Sequence, residues 1–139
     1  MNVNLTRVDR RFKVDSHGVR AVLVEVMRNE AIGDKTCDII FCRDSDITRL
    51  NRKFKGRAKP TDVLAFDLRN SANSRYLGEI YINLQMARRQ SASYGVPYIE
   101  EIKRLTIHGL LHLLGYRDDT AANRKRMWAR QEGYLGNGE

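Results

Sequence analysis

Polar and apolar residues change rhythm several times along the chain, and each change marks an element. VNLTRV reads as a first strand, and Val19, Val22, Leu23, Val26 and Met27 then repeat at helical spacing through GVRAVLVEVMRNE, roughly residues 18 to 30. KTCDIIFCRD is dense in β-favouring residues, and DSDITRLNRKF after it reads as a short helix capped by Asp44 or Ser45. A Gly and a Pro make KGRAKPTD a loop. VLAFDL and LGEIYIN are strands separated by the polar turn RNSANSRY.

The remainder is helical: LQMARRQSASYG ending at Gly95, a helix that begins after Pro97 and runs to Gly115, and TAANRKRMWARQEG. Helices interleave with strands early and cluster late, which predicts an α/β (mixed α+β) fold with helices covering a sheet of about four strands. Strand order is not readable from the pattern. At 139 residues, without an internal repeat or low-complexity linker, the chain is expected to form one domain over 1–139.

Hydrophobic residues make up 42% of the chain and charged ones 30%, which argues against extensive disorder. No apolar run reaches the roughly 18 residues of a membrane span, and MNVNLTRVDRRFKVD carries charges where a signal peptide needs an apolar stretch, so a cytoplasmic location and no membrane partner are expected. Cys37 and Cys42 lie on one predicted strand with side chains on opposite faces, and are expected to be buried, reduced thiols. The net charge of +8 points to a polyanionic partner such as nucleic acid.

The chemistry concentrates in HGLLHLLGYRDD. His108 and His112 stand at i and i+4, on one face of a helix and near enough to share a divalent metal. Their apolar neighbours make unpaired imidazoles costly, so something must satisfy the nitrogens. A catalytic metal site needs a third ligand, and Gly115 can turn the chain back in a left-handed conformation to bring Asp118 or Asp119 to the pair. Asp118 could instead cap the last helix, a role that Asp119 or Thr120 could also fill. The run H-x-x-x-H-x-x-G-x-x-D nearly matches the metzincin protease pattern, but Gly109 stands where those proteases carry their general base, which argues against a peptidase.

With Gly109 in place, HGLLHLLGY resembles the signature HGxLHLxGYDH of the YbeY family of bacterial rRNA-maturation endoribonucleases. GRAKPTDVLAF resembles the family's segment GKxKPTDVLSF, and LGEIYIN resembles its LGDIxIs strand. These blocks keep the family's order over roughly residues 36 to 130. The resemblance implies a single αβα-type domain with a mixed, mostly parallel four-stranded sheet covered by about five helices. It also implies a metal-dependent endoribonuclease acting on single-stranded RNA at the 3′ end of small-subunit rRNA and in ribosome quality control. Ribosomal proteins or a ribosome-associated GTPase would be its further partners.

The family's third metal histidine falls on Asp118 and the aspartate before it on Arg117, so His108, His112 and Asp118 are the implied ligands. Zinc is the expected ion, although the carboxylate makes harder divalent metals more competitive. The arginine that the family places ahead of its loop glycine corresponds to Lys55, with Arg57 two residues on. Lysine keeps the charge but loses the bidentate fork. Lys55 and Arg57 are the expected catalytic cations, and with Lys59 they are expected to hold RNA phosphate. Whether water or the RNA 2′-OH attacks stays open. The rival readings are a non-catalytic RNA-binding factor with a structural metal and, further off, a hydrolase of another substrate. His17 is expected in a loop or cap without chemistry. Met127 and Trp128 are expected to pack against the body, with Arg124, Lys125 and Arg126 either exposed or extending an RNA surface.

Overall fold

The rhythm resolves into four strands and five helices in a computed structural model that describes residues 2–136. In chain order these are β1 (Asn2–Arg7), α1 (Ser16–Asn29), β2 (Thr36–Cys42), α2 (Asp44–Lys55), β3 (Val63–Asp67), β4 (Tyr76–Asn83), α3 (Leu84–Tyr94), α4 (Tyr98–Leu113) and α5 (Ala121–Tyr134). The sheet order is β1-β2-β4-β3. β1 and β4 flank β2 in parallel, whereas β3 lies antiparallel on the edge beyond β4, so the sheet is mixed and mostly parallel as expected.

Alternation along the strands sorts the side chains into two layers. Cys37, Ile39, Phe41, Ile80 and Ile82 face a large core completed by Val19, Leu23 and Met27 of α1, Leu84 and Ala87 of α3, the inward side of α4, and Met127 of α5. The opposite face carries a smaller core in which Ile47 of α2 meets Cys42 and Leu64, with Phe66 and Tyr81 packed alongside. Helices therefore cover both faces, unevenly. The two cysteines fall in different cores, as the alternation predicts, and burial pushes both thiols up to about 12, which keeps them protonated and inert.

α4 is the axis of the molecule, touching α1, α3, α5, β3 and β4. Ile102, Ile107, Leu110 and Leu111 are all but fully buried, each stabilising the fold by about 1.5–3 kcal/mol relative to exposure. Gly109 explains how close this helix can lie to the sheet. A Cβ there would stand 2.5 Å from Ile80 Cγ2 and 3.3 Å from Val63 Cγ2, so even a methyl would force the Ile80 side chain or the helix to shift. The residue that breaks the protease pattern is thus the contact that seats the histidines over β3 and β4.

Several local expectations are corrected. α1 starts at Ser16 with Asp15 as its cap, accepting from the Gly18 amide at 3.0 Å, which puts exposed His17 inside the first turn rather than ahead of it. Neither Asp44 nor Ser45 caps α2: Arg43 holds that position and Asp46 reaches back to its amide at 3.0 Å. Asp44 is instead occupied by Asn83 and Arg89. On α5, Met127 is buried as expected, but Trp128 is 59% exposed. One residue further around a helix is a rotation of about 100°, which carries Trp128 off the face that Met127 buries.

Candidate metal centre and its cleft

His108 and His112 lie on adjacent turns of α4 with their rings edge to face, centroids 4.7 Å apart. The chain leaves the helix through Gly115, whose φ of +100° favours glycine, and Tyr116 returns its amide to the Leu111 carbonyl at 3.0 Å. Glu30 pins the reversal by accepting from the Tyr116 hydroxyl (3.0 Å) and, from α5, the Tyr134 hydroxyl and the Arg130 guanidinium (2.6 Å each). The turn then delivers Asp118 to the histidines. Asp119 is engaged by Arg117 and Asn123, and Thr120 caps α5, so neither competes with Asp118 for this place.

The donor atoms fit a divalent metal. His108 Nε2 and His112 Nε2 are 3.1 Å apart, His112 Nε2 and Asp118 Oδ2 3.3 Å, and the three residues' ligand atoms all lie within 4.8 Å of one another. Tetrahedral bonds of about 2.0–2.1 Å place neighbouring ligands roughly 3.3 Å apart. Burial, and then electrostatic repulsion between the two imidazoles, lower the pKa of His112 below its ordinary value against the pull of Asp118. That favours the neutral, ligating form.

The sequence reading missed the group that orients His108. Gln131 of α5 is buried, and its Nε2 donates to Glu132 Oε2 at 3.1 Å, which fixes Oε1 toward His108. His108 Nδ1 therefore donates to Gln131 Oε1 at 2.7 Å, leaving a lone pair on Nε2 for the metal. Arg104 holds Glu132 in turn, Nε to Oε2 at 2.8 Å, and also bonds Glu101 at 2.8 Å. A signal was present: Gln131 follows Met127 by four residues, so it shares that residue's buried face and needs a partner.

The three ligands line a cleft of about 910 Å³ that Lys55, Arg57 and Lys59 also line. All three cations are exposed and none forms an ion pair among the described residues. Lys55 ends α2 and the other two lie on the loop after it, which two buried asparagines tether. Asn51 Nδ2 donates to the Lys59 carbonyl at 2.9 Å, and Asn83 Nδ2 to the Thr61 carbonyl at 3.1 Å, while Asn83 Oδ1 caps α3. The sequence reading passed over both, as well as Asp62, which lines the same cleft. Their partners, Lys59 for Asn51, Thr61 for Asn83 and Gln90 for Asp62, are set by how the loop folds over α2, β4 and α3 and are not readable from spacing.

A family model described as Endoribonuclease YbeY matches residues 5–138. The Endoribonuclease YbeY of Caldanaerobacter subterraneus is 30% identical, covering 94% of each chain, and that of Persephonella marina is 40% identical over 70% of this chain and 66% of its own. The solution structure of a Thermotoga maritima protein superposes with a TM-score of 0.71 at 28% identity, covering 98% of this chain and 88% of the other. With a family model spanning nearly the whole sequence and the fold shared with a solved structure, this chain belongs to the YbeY endoribonuclease family.

Proposed function

We propose that residues 1–139 act as one domain, a cytoplasmic, metal-dependent endoribonuclease that cuts single-stranded RNA in the maturation of the small-subunit rRNA 3′ end. Ribosome quality control, with ribosomal proteins or a ribosome-associated GTPase as partners, is part of the same reading. One observation carries it: three metal-competent donors lie in the same cleft as three exposed cations. No described helix is long and apolar enough to cross a membrane.

His108, His112 and Asp118 would hold the ion, with zinc the proposed occupant. When bound, it supplies Lewis acidity toward a phosphoryl oxygen or a water. Lys55, Arg57 and Lys59 bind the RNA backbone and neutralise charge that develops on the scissile phosphate. Gln131 holds the His108 proton at Nδ1, away from the metal-facing nitrogen. Three donors rather than four among the described residues, one of them 53% exposed, suit a catalytic site with an open position better than a closed structural one, which favours the enzyme over the RNA-binding factor. Gly109, packed on Ile80, leaves the peptidase reading without its base.

The test is cleavage of a single-stranded and a duplex RNA by protein stripped with a chelator and then given back zinc or another divalent ion. Metal-restored cutting of the single strand is the expected result, and the product ends identify the nucleophile: a 2′,3′-cyclic phosphate means attack by the 2′-OH. Tight RNA binding without cutting under any metal would overturn the proposal in favour of the binding factor.

A further inference from the structure

A second cleft of about 430 Å³ adjoins the first, with Asp62, Gln90 and His108 lining both. Lys55, Arg57 and Lys59 line only the first, whereas Tyr94, Val96, Leu105 and Trp128 line only the second, together with Gln131 and the Glu101–Arg104 ion pair. Tyr94 at the end of α3 is 63% exposed and Trp128 on α5 is 59% exposed, two large aromatic surfaces left in water at one opening. Leu105 beside them is buried.

Gln90 supplies an independent observation. Its Nε2 donates to Asp62 Oδ2 at 3.3 Å, which identifies the other end of the amide as oxygen. That oxygen is buried and has no hydrogen-bond partner among the described residues. Because it is closed off by its neighbours, it meets a donor from outside the chain only when the Gln90 side chain turns toward the cleft, and that turn gains a hydrogen bond.

Resting on the endoribonuclease reading, we propose that the second cleft is a nucleobase subsite, which takes the base of a nucleotide flanking the scissile phosphate. A nucleobase meets both requirements at once. Its π-face stacks on Trp128 or Tyr94, and an amino or imino N–H on its edge satisfies Gln90 Oε1 once that side chain turns toward the cleft. The shared wall at His108 puts this base beside the phosphate that the first cleft holds. Arg124 and Lys125, about one helical turn before Trp128, offer cations for the adjoining backbone, and Arg124 Nη1 donates to the Asp118 carbonyl at 3.2 Å. Aromatic stacking accepts any base and requires it to be unpaired, so the subsite selects single strands. An aliphatic side chain of a protein partner would fill the apolar space but leave the Gln90 oxygen unsatisfied.

Trp128 is the chain's only tryptophan, so its emission reports occupancy directly. The experiment titrates the purified protein with a short 2′-O-methyl oligoribonucleotide, which cannot be cut by 2′-OH attack, and with the same strand carrying abasic positions. Affinities are measured by anisotropy for the parent, Trp128→Ala, Trp128→Phe and Tyr94→Ala, and cleavage of unmodified RNA is followed alongside. Saturable quenching is expected, with affinity reduced roughly 5- to 150-fold by Trp128→Ala, Tyr94→Ala or removal of the base, and largely restored by Trp128→Phe. The slope of affinity against salt should stay as in the parent, because every cation that meets a phosphate is still present. A parent that cuts RNA while both alanine variants bind and cut equally well, without quenching, would overturn the subsite alone and leave the cleft to a protein partner. A parent that neither binds nor cuts RNA would overturn the endoribonuclease reading and the subsite with it.

Discussion

Replacing Gly109 by alanine separates helix propensity from packing, because the two act in opposite directions. In an exposed helix interior the exchange would stabilise by about 0.8–1.0 kcal/mol. Here the new Cβ would stand 2.5 Å from Ile80 Cγ2, about 0.9 Å short of the 3.4 Å at which ordinary contact begins. Ile80 is fully buried, so it cannot turn aside into water, and either it leaves its rotamer or α4 lifts from the sheet. Overpacking of this kind costs about 1–3 kcal/mol, and after the propensity gain the net loss is about 1 kcal/mol, or a Tm lower by about 3–5 °C. A displacement approaching 1 Å would also carry His108 and His112 away from the basic loop, with cleavage reduced by an order of magnitude or more, up to about 100-fold. Denaturation of Gly109→Ala in the parent and in an Ile80→Ala background closes the cycle. Alanine should stabilise the second background, where the obstructing methyl is gone. Equal or greater stability in the parent, or the same loss in both backgrounds, would refute the steric reasoning.

Gln131→Leu should weaken metal binding by about 10- to 100-fold at nearly unchanged helix content, measured by competition with a chromogenic chelator, because His108 loses the acceptor that fixes its tautomer. Arg57→Ala and Lys59→Ala should each weaken RNA binding and make the salt dependence shallower by about 0.7 in log–log slope for each phosphate no longer neutralised, read by anisotropy at several salt concentrations. Burial alone would raise the Glu30 carboxyl, but hydrogen bonds from Tyr134, Arg130 and Tyr116 outweigh it and hold the pKa below its ordinary 4.5. A lowered folded-state pKa stabilises the fold above pH 4.5, and that stabilisation is lost as the pH falls from there through the folded value. Urea denaturation across that range should show the loss in the parent and a flatter profile in Glu30→Gln.

What the sequence made legible was the part governed by spacing. Helical repeats located α1, Pro97 and Gly115 bounded α4, and the i, i+4 spacing picked out His108 and His112, while Asp118 was singled out from its neighbours by the resemblance to the family signature. Less legible was whatever depends on which elements pack together. The antiparallel edge placement of β3 follows from tertiary pairing, and no period in VLAFD encodes it. Gln131 looks like an ordinary polar residue until α5 is laid against α4, and Asn51 and Asn83 until the basic loop folds over them. Trp128 shows the opposite failure. Large aromatics usually bury, and apolar character alone does not reveal that its helical phase points outward.

Elemental analysis of the untagged protein, repeated on His112→Ala and Asp118→Ala, tests the metal centre most directly. About one equivalent of divalent metal in the parent, absent or much reduced in both variants, is the expected result. Full occupancy in Asp118→Ala would mean that the carboxylate 3.3 Å from His112 is not a ligand, and a parent that takes up no metal even after zinc supplementation would contradict the metal mechanism itself.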